Sequence, residues 1–237
     1  GDVSCPPQPE MPVPEGVDYD MWLGPAPMAP YTVKRVHPRH DYSRPGWMRI
    51  LDYCDGMITN WGTHLNDIAQ WGNGTDRTGP VEVKGTGTFP DEGLWNVLLG
   101  FDVEYKYADG VRLFYKIDKP YVRFEGDEGW IHADYSTREL TAEPESILKS
   151  EIKDDEIHLP LKDEKVDFID AVKTRGQTLE DAEVGHRTTS LCHLGHIAIQ
   201  VGKKLNWDPE TERFTNSEEA NEFLTRPKRS PWKLSQI

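Results

Sequence analysis

The sequence is short of cysteine, with Cys5, Cys54 and Cys192 widely spaced and odd in number. They supply neither a disulfide framework nor the ligand spacing of a metal site, so no metal is expected and the redox compartment stays open. Positive charge is scarce as well: 27 Lys and Arg stand against 41 Asp and Glu, a formal charge of −14. That sign repels a phosphate backbone and argues against nucleic acid as a partner. No apolar run approaches the roughly 18 residues of a membrane span, so no membrane partner is expected. The N-terminus lacks the basic, apolar and small-residue order of a signal peptide, which leaves localisation unspecified. Any export signal would have to lie upstream of Gly1, which reads as the start of a fragment.

Familiar catalytic fingerprints are missing too. There is no Walker loop, no Gly-x-Ser-x-Gly elbow and no His-Glu-x-x-His helix. The stretch Gly85-Thr86-Gly87-Thr88-Phe89-Pro90 lacks the third glycine of a dinucleotide fingerprint and runs into strand-like sequence. No Rossmann half and no cofactor-binding residue are therefore expected in this chain.

What is present describes a folded protein, with eight Trp, nine Tyr and seven Phe among 237 residues. Residues 1 to about 30 hold much of the proline and read as an extended arm, because proline lacks the helical donor and restricts its predecessor. Within it, Trp22 is expected to pin the arm by burying its ring. Residues 31–237 read as one domain. A first helix is expected from about Asp55, its N-cap, to Trp71, with Gly72 as the stop. Ile58, Trp61, Leu65, Ile68 and Ala69 form its apolar stripe, and Asn60, His64 and Asp67 a polar one. From about Val81 to Ile131 the pattern turns to period two, in VEVKGTGTF, LWNVLLGFDVEYKY, VRLFYKI, YVRFEG and GWIHADY. Strands in succession without helix-length crossovers make an antiparallel meander. Two helices follow, Asp163 to about Thr174 and Leu179 to about Lys204, the second capped by Thr178. Gly185, Gly195, Ala198 and Gly202 should let other backbones approach it closely. The fold class is α+β, with an antiparallel sheet that packs one face and leaves the other polar.

The polar stripe has the residue types for proton transfer: an imidazole at His64, a carboxylate one turn on at Asp67, and an amide at Asn60. Such a stripe is also what a solvated helix face looks like. Other histidines cluster at His37 and His40 and at His186, His193 and His196. His186 and His193 are roughly 10 Å apart by helix rise, too far to share an ion. His193 and His196 have no carboxylate at a neighbouring helical position and read as packing residues.

The segment GMITNWGTHLNDIAQW resembles the helix motif of the Gfo/Idh/MocA family, Gly-Gly-Gly-x-x-x-Asp-x-Gly-x-His-x-x-Asp. Gly56, Gly62, His64 and Asp67 match it, and Cys54, Asp55 and Asn60 depart from it. YDMWLGPAP, HPRH, WMRILDY, FEGDEGWI, GHRTTSLCHLGHIAIQVGKKLNWDPETERF and RPKRSPW extend the resemblance over nearly the whole chain. It implies the C-terminal domain, an α+β fold with an open, mostly antiparallel sheet and helices packed on one face, used for substrate binding and often for oligomerisation. The family's Rossmann domain, absent here, binds NAD or NADP and brings a catalytic Lys in a Glu-Lys-Pro motif. Asp118-Lys119-Pro120 mimics that motif between two strands and reads as a decoy.

The resemblance implies a sugar or polyol substrate, and NAD or NADP in the full-length protein but not on this chain. It places His64 on the family's catalytic His and Asn60 on its catalytic Asp, with Asp67 beside them. His37, Trp22 and His186 are assigned to substrate binding. Because Asn60 cannot exchange a proton, an NAD-dependent glycosidase or lyase is a second reading. A non-catalytic carbohydrate-binding scaffold is a third, and the coding sequence upstream of residue 1 distinguishes it.

Overall fold

The computed structural model describes residues 4–37, 46–156, 158 and 160–232; His40 lies outside them. In chain order the elements are α1 (Tyr19–Leu23), α2 (Met57–Asn60), α3 (Gly62–Gly72), β1 (Glu82–Thr88), β2 (Gly100–Lys106), β3 (Arg112–Lys116), β4 (Tyr121–Gly126), β5 (Gly129–Asp134) and β6 (Leu140–Glu143). Then come α4 (Glu164–Thr174), α5 (Ala182–Val201), β7 (Leu205–Asp208), β8 (Arg213–Phe214) and α6 (Glu218–Glu222). The architecture is α+β with antiparallel sheets, as the period-two pattern predicts. The chain divides into two compact units: residues 1–60, 80–117 and 193–237, and residues 61–79 and 118–192.

The first unit is built on a five-stranded sheet of order β3-β2-β1-β7-β8. Val83, Phe101, Val103, Tyr105 and Tyr115 form its buried face. Gly195 of α5 packs so closely on this face that a Cβ there would come within 2.3 Å of the Tyr105 hydroxyl. Tyr115 donates from its hydroxyl to the carbonyls of Met57 and Ile58, at 3.2 and 3.3 Å, tying α2 to β3. The opposite face carries ion pairs, Lys84 and Arg112 on Glu104 at 2.8 and 2.6 Å, and Lys204 on Glu82 at 2.8 Å. On the ion-paired face of β2 and β3 only Phe114 is a large apolar side chain, 61% exposed.

The strand expected over residues 94–107 begins at Gly100, because the preceding backbone is bound elsewhere: Leu94 N–H donates to Cys5 O, and Asn96 N–H to Arg49 O. Buried donors must be paired, and these pair with loops instead of a strand. The first helix starts at Met57, because Gly56 has φ +77°, a left-handed conformation that interrupts helix. Asp55 is therefore no N-cap. The helix is also split at Trp61, and its fully buried positions are Ile58, Gly62, Asn66 and Gln70, while Ile68 is 39% exposed. The apolar stripe mispredicts this face because two of its buried residues are amides.

In the second unit β4, β5 and β6 form a separate three-stranded antiparallel sheet, so the expected single meander breaks at Asp118-Lys119-Pro120. Phe124 of β4 lies against Gly72 of α3, where a Cβ would meet its ring at 2.5 Å. The Asn66 side-chain amide donates to Cys192 Sγ at 3.6 Å. Asp163 caps α4 by accepting from the N–H groups of Lys165 and Val166. The α5 cap is Asp181, not Thr178: its carboxylate accepts from Glu183 and Val184 N–H, both at 3.1 Å, so the helix starts three residues later than expected. Gly202, φ +70°, ends α5 before Lys204, and Gly185 meets nothing within 4 Å, so neither serves close packing.

Candidate functional site

Asn60 ends α2 with its side chain exposed. His64 stands in the first turn of α3, also exposed, with its ring edge-on to Trp61 at 5.8 Å between centroids. Trp61 in turn meets Tyr135 edge-on at 5.2 Å, so an aromatic wall stands beside the imidazole. Asp67 is half-buried, and its Oδ1 accepts from the Thr188 hydroxyl at 2.8 Å. Burial pushes the Asp67 carboxyl above its ordinary range; the Thr188 hydrogen bond opposes this, Asp76 adds to it and His64 opposes it. Glu180 is raised by burial too, and by the charges of Asp67, Asp76 and Asp181.

A raised carboxyl favours folding where it is protonated, and that contribution is lost as pH rises through its folded value. Asp67→Asn removes the loss while keeping an acceptor for Thr188. The variant is expected to melt at or above the wild-type temperature at neutral pH, with the difference vanishing below about pH 4. Thermal melts at the two pH values check this.

Trp22 belongs to a ring cluster in the first unit, stacked on Tyr19 at 5.6 Å and edge-on to Tyr53 at 5.1 Å. The Tyr19 phenol is pushed up to about 12, by burial first and then by Tyr53, and it donates to Pro30 O at 3.2 Å. His37 is half-buried in the first unit, and His186 is exposed on α5.

The structure also assembles a cluster that helical spacing could not show. Asp55, 2% exposed, receives His193 Nδ1 at 2.6 Å and His196 Nδ1 at 3.3 Å, both on Oδ2, and Arg226 Nη2 on Oδ1. Arg226 Nη1 also donates to Leu51 O. Burial alone would raise the Asp55 carboxyl, but the hydrogen bonds from His193 and His196 and their charges outweigh it and hold it well below the ordinary carboxylate range. No group of three or more His, Cys, Asp or Glu among the described residues is arranged to hold a metal ion. Nor do the residues around the one Gly-rich stretch suit a dinucleotide. Gly85 and Gly87 lie inside β1 against Ile199, Val103 and Leu98, so their backbones are covered by apolar side chains instead of opening to a pyrophosphate.

Residues 5–234 match the model of the Gfo/Idh/MocA oxidoreductase family, C-terminal alpha/beta domain. The chain belongs to that family. No curated protein sequence matches it. Among solved structures it is similar to the WlbA dehydrogenase from Bordetella pertussis in complex with NADH and UDP-GlcNAcA, at 13% identity and a TM-score of 0.54, over 73% of this chain and 53% of that one. It is also similar to the aldose-aldose oxidoreductase from Caulobacter crescentus complexed with glycerol, at 12% identity and a TM-score of 0.51, over 68% and 50%. The likeness is one of fold. This Gfo/Idh/MocA domain spans about half the length of each of those chains. No helix among its described residues is long and apolar enough to cross a membrane.

Proposed function

We propose that this chain is the substrate-binding and oligomerisation part of an NAD(P)-dependent oxidoreductase that acts on a sugar or polyol. The observation that carries the reading is His64, at the position of the family's catalytic His and exposed in the first turn of α3. Oxidising a carbinol to a carbonyl releases the hydroxyl proton, and an exposed imidazole beside Trp61 is suited to take it. The sugar's apolar face has Trp61 to rest on, and Asn60 serves as a hydrogen bonder that orients substrate. Trp22, His37 and His186 are proposed to contribute to substrate binding. Nicotinamide, as hydride acceptor, is assigned to a nucleotide-binding domain outside these residues, because Gly85 and Gly87 are covered. Asn60 in place of the family's Asp favours one alternative, a glycosidase or lyase of the same family in which oxidation is transient.

This reading predicts that the 237-residue chain alone does not bind NAD or NADP tightly. Calorimetric titration checks this, and micromolar affinity would contradict it. It also predicts self-association through the open sheet face carrying Phe114, with the half-exposed Val111 and Ile117 close by in the chain. Light scattering is expected to give a dimer or larger species at micromolar concentration, and a monomer overturns the expectation.

A further inference from the structure

An ionised carboxylate only accepts hydrogen bonds, so the three groups on Asp55 must all donate to it. His193 and His196 therefore carry a proton on Nδ1, and in the neutral ring Nε2 is left as the second functional atom. The two rings then differ sharply in access. His196 is 3% exposed and its Nε2 is enclosed without a hydrogen-bond partner, with Phe89 5.9 Å away between centroids. It is a packing group. The His193 side chain is 45% exposed and that of Arg226 50%, although both hold the same buried carboxylate. One buried anion thus fixes two half-exposed groups from behind, as binding residues need to be: Arg226, with N–H groups to spare, and His193, whose Nε2 donates when the ring is doubly protonated.

We propose that the exposed edges of His193 and Arg226, held by Asp55, bind an oxyanion group, a carboxylate or a phosphate, on a small ligand. The charge balance favours an anion over a neutral hydroxyl. Arg226 cancels the charge of Asp55, so the cluster meets solvent with no net negative charge to repel an anion. The surroundings agree with this: in a chain of formal charge −14, Arg226, Lys228 and Arg229 fall within four residues. Asp20 neutralises Arg229 at 2.7 Å, whereas Lys228 is exposed. Both Nη atoms of Arg226 are engaged, on Leu51 O and Asp55, and its remaining N–H groups, together with a protonated His193 Nε2, are left to bond the oxygens of an anion.

The inference concerns residues of the first unit and does not rest on His64, so its failure leaves the dehydrogenase reading intact. The test is titration of the 237-residue chain with glucuronate, inorganic phosphate and glucose, read by calorimetry and by the imidazole signals of His193 in NMR. Glucuronate or phosphate is expected to bind and move the His193 signals, and glucose is not; the relative strength of the two anions identifies the preferred group. His193→Gln and Arg226→Gln are each expected to weaken anion binding about ten-fold or more, with folding verified by circular dichroism. The wild-type NMR titration needs no variant and so stands even if a substitution unfolds the chain. Unmoved His193 signals with both anions, an equal response to glucose, or unchanged binding in both folded variants would overturn the proposal.

Discussion

Replacing His64 with alanine is expected to lower turnover of the full-length protein by about 100-fold or more, while leaving its unfolding temperature close to wild type. The two halves of that expectation come from different facts. His64 is exposed and stands apart from Ile58, Gly62, Asn66 and Gln70, the buried positions of α2 and α3, so its removal opens no cavity. Its chemistry is another matter, because the neighbouring position that carries a carboxylate in the family is Asn60 here, and an amide neither takes nor gives a proton at neutral pH. On the proposed reading, the proton task within this chain falls on His64. Asn60→Ala should instead raise KM more than it lowers kcat, as loss of a positioning hydrogen bond does. Steady-state kinetics with parallel thermal melts separates these cases. Wild-type turnover in the His64→Ala protein, or simple unfolding, would make the polar stripe a solvated or structural face.

The second large effect is on stability. Asp55→Ala is expected to cost about 3 kcal/mol, in the range for removing one partner from a buried ionic cluster, which for a chain of this size lowers the melting temperature by roughly 6–12 °C. His196 is left 3% exposed with neither ring nitrogen bonded, and Arg226 and His193 lose the acceptor that holds them. The sign with pH follows from the lowered carboxyl. A depressed folded value gives stability that is complete above the unfolded value near pH 4 and is lost as pH falls through the folded one. On the carboxyl's own account, the gap between wild type and variant should therefore be present above about pH 4 and narrow in strong acid. Denaturant unfolding at several pH values measures it. A gap below about 1 kcal/mol at neutral pH would show that the cluster contributes no more than a surface ion pair.

Strands β1 to β5 were legible from period-two alternation, clearest in β2, which buries one face, whereas β6, β7 and β8 went unread. Val103, Tyr105 and Tyr107 alternate with Asp102, Glu104 and Lys106, and the structure buries the first set and turns the second outward. The α4 start was legible because Asp163 caps its own neighbours, a contact within three residues. Less was visible where long-range contacts decide. The buried side of α3 carries Asn66 and Gln70, which hydropathy assigns to solvent, and the separation into two sheets at Asp118-Lys119-Pro120 leaves no periodic mark. The candidate site divides in the same way. His64 could be singled out from its polar stripe and its motif, whereas Asp55 meets His193 across 138 residues and Arg226 across 171. No local spacing encodes that meeting, and an Asp just ahead of the apolar stripe had the look of a helix cap.

The central claim is tested most directly by incubating the full-length protein with NAD or NADP and a panel of sugars and polyols, following nicotinamide reduction and bond cleavage together. The expected result is accumulation of reduced nicotinamide with at least one member of the panel, abolished by His64→Ala. Cleavage without net reduction would replace the dehydrogenase reading with the glycosidase or lyase one, and neither signal with any member would contradict both.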